Sequence, residues 1–205
     1  MKVIDLTHVF NNEMPVYPGD PKPEVRQIAW LEKQGYNDFR LTTGMHVGTH
    51  IDAPLHMIEG GKLISDFPVE KLVGPGYIID ARGQSVIDES FITPPLKPGA
   101  IVLVFTGFSQ KFTEIEYFEI YPELSESFAK KLIDAKVSML GIDFASPDKD
   151  PYPIHKLLLG QEILIVENLT NLEKLLSFKK FSVSALPLNL EAEASPARVL
   201  ATIND

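Results

Sequence analysis

The residues with the clearest chemical potential lie in one short stretch, 45–57, which reads M-H-V-G-T-H-I-D-A-P-L-H-M. Three of the five histidines of this 205-residue chain fall within it, and an aspartate separates the second from the third. Apart from Thr49, the odd positions are apolar. The even positions carry His46, Gly48, His50, Asp52, Pro54 and His56. This two-residue period indicates an extended segment with one face in a core and the other face forming a binding or catalytic surface.

Histidine and aspartate can form a metal site without cysteine, which the chain lacks, and such ligands suit zinc or manganese. A helix is disfavoured because it would turn Asp52 away from His46 and His50, and because Gly48 and Pro54 would interrupt it. A straight strand would place His46 and Asp52 about 20 Å apart at ~3.3 Å per residue, too far for one ion. The sequence therefore predicts a strand that bends at Gly48 and again near Pro54.

The alternative interpretation is that these histidines are ordinary core or surface residues, but the spacing of the whole set disfavours it. A metal site would need ligands from elsewhere in the chain. Glu167 ends the apolar run I-L-I-V, where an unpartnered carboxylate would be costly, and His155 follows a proline-rich loop. His8 is interpreted as a structural histidine, with a supporting role behind the ligands left open. Asp143 and Asp148 are interpreted as loop anchors rather than ligands, because acidic residues commonly cap turns in proline-rich loops.

The elements that must position these side chains are mostly short strands. Runs rich in Val, Ile, Leu and Phe predict buried strands at Lys2–Leu6, Gly76–Ala81, Ala100–Thr106, Val137–Asp143, Glu162–Val166 and Phe181–Leu190. Two further strands, Val25–Leu31 and Asp38–His50, are predicted as a pair, with a helical turn as the alternative for Val25–Gln34. An amphipathic pattern predicts a helix over Ser125–Ala135, and the capping-box spacing T-N-L-E predicts a short helix from Thr170. The mixture indicates a β-dominated α/β fold.

Length and charge narrow the class of protein. A chain of 205 residues and 22.9 kDa with 44% hydrophobic residues predicts one domain over residues 1–205. The net charge of −9 disfavours a nucleic-acid partner, since phosphate contacts need a basic surface. The apolar runs are far short of a membrane span, and the one at the N-terminus is too short for a signal peptide, so we expect a cytoplasmic protein with no membrane partner. No P-loop, nicotinamide fingerprint or nucleophile elbow is present.

The motif H-V-G-T-H-I-D-A-P-L-H closely resembles the signature of the bacterial cyclase-like metal-dependent hydrolases, which include kynurenine formamidase (arylformamidase) and isatin hydrolase. The resemblance runs nearly end to end, from I-D-L-T-H and M-P-V-Y-P-G-D through G-I-D-F-A-S-P-D and I-H-K-L-L-L-G to I-V-E-N-L. It implies a swivelling β/β/α domain that assembles as a homodimer or homotetramer.

The resemblance also assigns a metal centre of two divalent ions per chain, zinc or manganese. The implied ligands are His46, His50 and Asp52 for one ion and Asp52, His155 and Glu167 for the other. Asp52 would bridge the two ions.

Two more residues receive roles from the same resemblance: His56 would be a proton shuttle, and Tyr17 would lie against the aromatic ring of a small-molecule amide substrate. The implied activity is that of an arylformamidase, which converts N-formylkynurenine to kynurenine and formate in tryptophan catabolism. One alternative is a ring-opening hydrolase of a cyclic amide such as isatin. Another is a metal-binding protein without turnover, although such a protein would not need His56, which would then be an ordinary loop histidine.

Overall fold

The computed structural model describes residues 1–93 and 95–203. Its twelve strands are β1 Lys2–Asp5, β2 Glu24–Ala29, β3 Asp38–Thr42, β4 His50–Asp52, β5 Val73–Asp80, β6 Val86–Ile87, β7 Ile101–Phe105, β8 Glu123–Leu124, β9 Met139–Ile142, β10 Leu164–Glu167, β11 Ser182–Pro187 and β12 Ala194–Ile203. The α-helices are α1 Leu31–Gln34, α2 Glu126–Asp134 and α3 Pro153–Leu159. Short 3₁₀ turns cover Pro54–His56, Ile64–Asp66, Val69–Leu72, Glu89–Phe91, Phe108–Lys111, Ile115–Phe118 and Leu172–Leu175.

The strands build a closed barrel. The order β12-β11-β5-β7-β9-β10-β4 returns to its start because β4 also pairs with β12, and β1 lies outside this ring on β12. The strands β5, β7, β9 and β10 run parallel, whereas β4, β11 and β12 pair antiparallel with their neighbours. The strands β2 and β3 form a separate antiparallel hairpin. The short strand β4 is therefore the element that closes the barrel between β10 and β12.

Two apolar clusters hold this arrangement together. In β7, Ile101, Leu103 and Phe105 pack inside the barrel, whereas Val102 and Val104 face an outer layer that includes α2 and α3. Because the parallel strands are covered on both faces, they are continuously apolar, and this is why their positions are visible in the sequence. Helix α2 buries one face on this layer, and the Ser125 hydroxyl accepts a hydrogen bond from its third residue, as expected of an N-cap.

The β-dominated α/β fold predicted from the sequence is confirmed, together with the six single strands, the β2–β3 pair and helix α2. Within the described ranges, no helix combines the length and apolar character needed to cross a bilayer.

Two local predictions differ from the structure, and one strand of the barrel was not predicted. The strand predicted over Asp38–His50 ends at Thr42, because the chain turns before β4. The turn at Leu172–Leu175 begins at Asn171, with φ 61° and no side-chain cap, so the capping box predicted at Thr170 does not form. Strand β12 was not predicted, since its first half, A-S-P-A-R, has little of the β-branched and aromatic content that marks a strand.

Candidate metal centre

The neighbouring strands β4 and β10 place three of the predicted ligands on one surface. Glu167 pairs directly with His50, and the next same-face pair brings Asp52 opposite Ile165. Because side chains alternate along a strand, Ile51 points into the barrel while His50, Asp52 and Glu167 project from its outer face. Glu167 is also the last residue of the parallel strand β10, at the carboxyl edge of the sheet.

Two bends in the chain bring His46 and His56 next to Asp52. Gly48, just before β4, has φ 68°, and a Cβ there would come within 2.7 Å of the Met14 side chain. A larger residue would be strained at this position. After β4 the chain enters the 3₁₀ turn Pro54–His56, which leaves the His46 and His56 ring centroids 4.1 Å apart. The bends predicted from Gly48 and Pro54 are therefore present.

His155, on α3, lies next to these side chains, and Asp148 holds its ring in place. The cluster consists of His46, His50, Asp52, His56, His155 and Glu167. The Asp148 carboxylate accepts hydrogen bonds from the backbone N–H groups of Ile154 and His155 and from the His155 ring Nδ1, at 2.5 Å. The imidazole is thereby oriented with Nε2 toward the other side chains, 3.3 Å from Glu167 Oε1 and 3.8 Å from Asp52 Oδ2. A carboxylate behind a histidine ring is the usual way to present Nε2 to a metal ion.

The two carboxylates lie between the two imidazoles. His50 Nε2 is 3.4 Å from Asp52 Oδ1 and 3.5 Å from Glu167 Oε2, and His155 Nε2 faces the other oxygen of each carboxylate. His46 adds its Nδ1, 2.9 Å from Asp52 Oδ1. One donor position thus lies beside His50 and another beside His155, and Glu167 faces both histidines, as Asp52 does.

The unpartnered atoms of this cluster show that it fits cations. Within this cluster, His50 Nε2, both Asp52 carboxylate oxygens and Glu167 Oε1 are shielded from solvent and have no partner in hydrogen-bonding geometry among the described residues; His8 Nε2, outside the cluster, is in the same condition. Buried polar atoms in this condition are costly, and those of the cluster converge on the same small space. Divalent ions are the group that would satisfy nitrogen and carboxylate donors together.

The pKa values of His50 and His155 also indicate that the cluster favours bound positive charge. Burial lowers the pKa of His50, but the attraction of Asp52 and Glu167 outweighs burial and raises this pKa to about 9. Burial opposes protonation of His155 too, yet its hydrogen bond to Asp148 and the nearby negative charge of Glu167 raise the pKa to about 10. The two buried carboxylates thus demand compensating positive charge, which bound cations would supply in place of protons.

His56 lies close enough to the carboxylates for more than one role. His46, Asp52 and His56 offer three donor atoms within 4.8 Å of one another, as do His50, Asp52 and Glu167. Burial lowers the pKa of His56 to about 4, an effect that the Asp52 charge opposes and that neighbouring histidines reinforce. A neutral imidazole at neutral pH could either ligate an ion or accept a proton.

A cavity of about 320 Å³ opens directly onto the cluster. His46, His56, His155 and Glu167 form its polar end. Its aromatic wall consists of Tyr17, Phe118 and Tyr152, and Tyr17 packs edge to face on Phe118 with centroids 5.9 Å apart. The structure therefore brings together His46, His50, Asp52, His56, His155, Glu167 and Tyr17, all the site residues that the sequence suggested.

Some residues at the centre were missed by sequence reasoning or only partly understood. Asp148 anchors its loop as predicted, but the sequence did not indicate that it also orients His155. Asn168 and Glu193 were not singled out; Glu193 places a carboxylate oxygen 3.5 Å from His46 Nε2. The position of Asn168 directly after Glu167 was the one signal that could have identified it, whereas nothing local marks Glu193.

Two other polar residues lie outside the cluster, in agreement with their interpretation as structural. His8 stacks on Phe112 with ring centroids 3.9 Å apart, and its backbone N–H donates to the Thr49 hydroxyl. The Asp143 carboxylate accepts hydrogen bonds from the hydroxyl and N–H of Thr106 and from Gly107 N–H, so it anchors the turn after β7.

The sequence is similar to proteins of known family along nearly its whole length. It is 33% identical over 206 residues to an uncharacterized protein of Methanocaldococcus jannaschii, covering 99% of this chain and 100% of that one. It is 30% identical over 203 residues to the kynurenine formamidase of Bacillus cereus, covering 96% of this chain and 95% of the relative.

Solved structures have the same fold. A potential metal-dependent hydrolase with cyclase activity superposes with a TM-score of 0.83 at 30% identity, over 100% of this chain and 98% of that one. Isatin hydrolase A from Labrenzia aggregata gives a TM-score of 0.89 at 24% identity, over 100% and 94% of the two chains, a likeness of fold alone. The family model Cyclase, described as "Putative cyclase", matches residues 4–149. With this match and the full-length relatives, the chain belongs to the cyclase family.

Proposed function

We propose that this protein is a metal-dependent amide hydrolase of the arylformamidase kind, which converts N-formylkynurenine to kynurenine and formate. The observation that carries the proposal is the pair of buried carboxylates between two imidazoles, with unpartnered donor atoms that open onto an aromatic cavity. Similarity to a kynurenine formamidase along nearly the full chain supports the choice of substrate.

The donor atoms support two divalent ions, zinc or manganese. His46, His50 and Asp52 would hold one ion, and Asp52, His155 and Glu167 the other. Glu167 also faces His50 at 3.5 Å, so its carboxylate would lie within reach of a donor set on either side. When bound, such ions would polarise a carbonyl group and lower the pKa of water toward about 7.

Amide cleavage also requires proton transfers, which the side chains around the cavity would carry out. His56 lines the cavity beside His46, where it can accept a proton from the attacking water and return it to the departing nitrogen. Its lowered pKa keeps the ring neutral at neutral pH, as a proton acceptor must be.

The cavity wall supports an aryl amide over an aliphatic one. Tyr17, Phe118 and Tyr152 provide aromatic faces and edges against which a ring can pack. The volume of about 320 Å³ is in the range of small-molecule sites and suits a substrate the size of a substituted anilide. We therefore assign the ring-binding contact to Tyr17 and its neighbour Phe118.

Replacing Tyr17 with alanine should raise the KM for aryl formamides about tenfold while kcat changes less, because ring packing stabilises the ground state and the transition state alike. Tyr17→Phe is the matched control, since it keeps the ring and should keep KM near the wild-type value. Steady-state kinetics on an aryl formamide and on an aliphatic formamide would measure the difference. An unchanged KM for every aryl substrate in Tyr17→Ala would refute this contact.

The proposed reaction is tested by turnover of a substrate panel with the metal-loaded protein. We expect N-formylkynurenine and simple formanilides to be cleaved with a higher kcat/KM than isatin, whose ring opening would need the same ions and a different pocket. Preferred turnover of isatin would replace the arylformamidase assignment. Two bound ions with no turnover of any amide would instead support a metal-binding protein without catalysis.

A homodimer or homotetramer stays a prediction, and the β2–β3 hairpin supports it. Large apolar side chains on and between these strands are 44–62% exposed, namely Trp30, Leu31, Tyr36, Phe39 and Leu41. A second copy of the chain that packs on the β2–β3 hairpin would remove these side chains from water. Cytoplasmic residence likewise stays a prediction.

A further inference from the structure

Asn168, the residue after Glu167, makes hydrogen bonds inside the protein through both its side-chain oxygen and its side-chain nitrogen. It is 3% exposed. Its side-chain oxygen accepts a hydrogen bond from the Tyr117 hydroxyl at 2.8 Å, and its side-chain nitrogen donates to the Gly48 carbonyl at 3.0 Å. Its backbone carbonyl accepts from the Thr49 hydroxyl at 2.6 Å. Asn168 thus joins the end of β10 to the bend that precedes β4.

The Gly48 carbonyl has a second partner, the His50 ring. His50 Nδ1 donates to this oxygen at 2.8 Å, so Nδ1 carries a hydrogen and Nε2 is the ring nitrogen left for a cation, facing Asp52 and Glu167. A carbonyl oxygen accepts two hydrogen bonds, and here one comes from His50 and the other from Asn168. The direction of the carbonyl sets the plane of the imidazole, and Asn168 holds that carbonyl from the other side.

We propose that Asn168 is a positioning residue that fixes the His50 imidazole through the Gly48 carbonyl, with the Tyr117 hydroxyl holding the Asn168 amide in turn. This inference rests on the two-ion site proposed above. Asp148 performs the corresponding task directly for His155. Each of the two ion positions then has its own support, a carboxylate for one histidine and a shared carbonyl for the other.

The hydrogen-bonding groups around position 168 explain why asparagine suits this position. The Tyr117 hydroxyl needs an acceptor and the Gly48 carbonyl needs a donor, and a side-chain amide provides both at the same distance from the backbone. Asn168 also has φ 56°, a left-handed conformation that asparagine and aspartate tolerate better than most residues. Aspartate would fit the backbone and the Tyr117 bond, but it would turn a carboxylate oxygen toward the Gly48 carbonyl.

The test compares metal-loaded wild type with Asn168→Asp. Chelator competition should show one ion held about 10–100-fold more weakly in the variant, the usual cost of losing support behind a ligand. NMR of the ring N–H protons should show faster water exchange at His50 Nδ1. The Nδ1–H of His155, held by Asp148, is the internal reference and should keep its wild-type exchange rate.

Tyr117→Phe provides a second variant in case Asn168→Asp does not fold. It keeps the buried ring and removes only the donor to Asn168, so it should weaken the same ion and quicken the same His50 proton by a smaller factor. Tyr121→Phe is the matched control: it removes another buried hydroxyl, one that donates to the Asp148 carbonyl, and should leave the His50 proton unchanged.

Two outcomes would overturn the inference. Equal acceleration at His50 and His155 with a general loss of thermal stability would make Asn168 a packing residue. Unchanged metal retention and an unchanged His50 proton, with a raised KM, would make it a substrate contact, since it also borders the cavity. A wild-type protein that binds no ion would refute the proposed metal centre itself, a failure distinct from either of these.

Discussion

Replacing His56 with alanine should lower kcat by about 10²–10⁴ while both ions stay bound, since general acid–base catalysis usually contributes this much. The reason is that the amine of an amide is a poor leaving group until it gains a proton, and His56 lines the cavity within reach of the cluster. Metal analysis and single-turnover kinetics on the same preparation would measure the two effects separately.

A change of leaving group provides the control for this experiment. An aryl ester or an anilide with an electron-withdrawing ring should lose less activity in His56→Ala, because its leaving atom needs less protonation. The pH profile should also lose the limb that reports His56. Because His46, Asp52 and His56 also form a set of donors within 4.8 Å, loss of an ion in His56→Ala would identify this residue as a ligand and exclude the shuttle mechanism.

His50→Ala should lose metal and activity together, with the metal content falling from about two ions per chain to one or none. His50 is 1% exposed, and its Nε2 faces Asp52 and Glu167, so its removal leaves Glu167 Oε2 without a nitrogen donor and leaves Asp52 Oδ1 with His46 alone. We expect a loss of kcat/KM at least as large as that in His56→Ala, because removing a ligand disables the ion that the reaction needs.

His8→Ala is the matched control for His50→Ala, since it removes a part-buried histidine that lies outside the cluster. It should retain two ions and most of the activity. Elemental analysis after dialysis, with circular dichroism to verify folding, would distinguish the two variants. A folded His50→Ala protein with two ions and wild-type turnover would contradict the ligand assignment.

The local chemistry of the centre was visible in the sequence because it is concentrated in one segment. The alternation between positions 45 and 57 predicted an extended chain, which the structure has only at His50–Asp52, and the reach from His46 to Asp52 required bends, for which Gly48 and Pro54 were the suitable residues. The observed φ of 68° at Gly48 and the turn at Pro54–His56 agree with that argument. The buried parallel strands were also visible, because strands covered on both faces must be continuously apolar.

Only the tertiary structure shows how Glu167 is placed relative to the segment 45–57. Glu167 stood out only as a carboxylate at the end of an apolar strand, and its pairing opposite His50 depends on strand register across more than one hundred residues of chain. No local pattern specifies such a register, since it is set by closure of the barrel through β4 and β12.

The sequence by itself therefore determined the residue types of the centre, the bends that allow them to meet and the β-rich class of the fold. The tertiary structure decided that Glu167 faces both His50 and His155, that Asp148 orients one histidine, and that the Asn168 amide supports the other. The physical reason is the distance along the chain over which each signal acts, because propensity and periodicity depend on only a few neighbouring residues. Distances of 3–4 Å between side chains from separate elements depend on how the whole barrel closes.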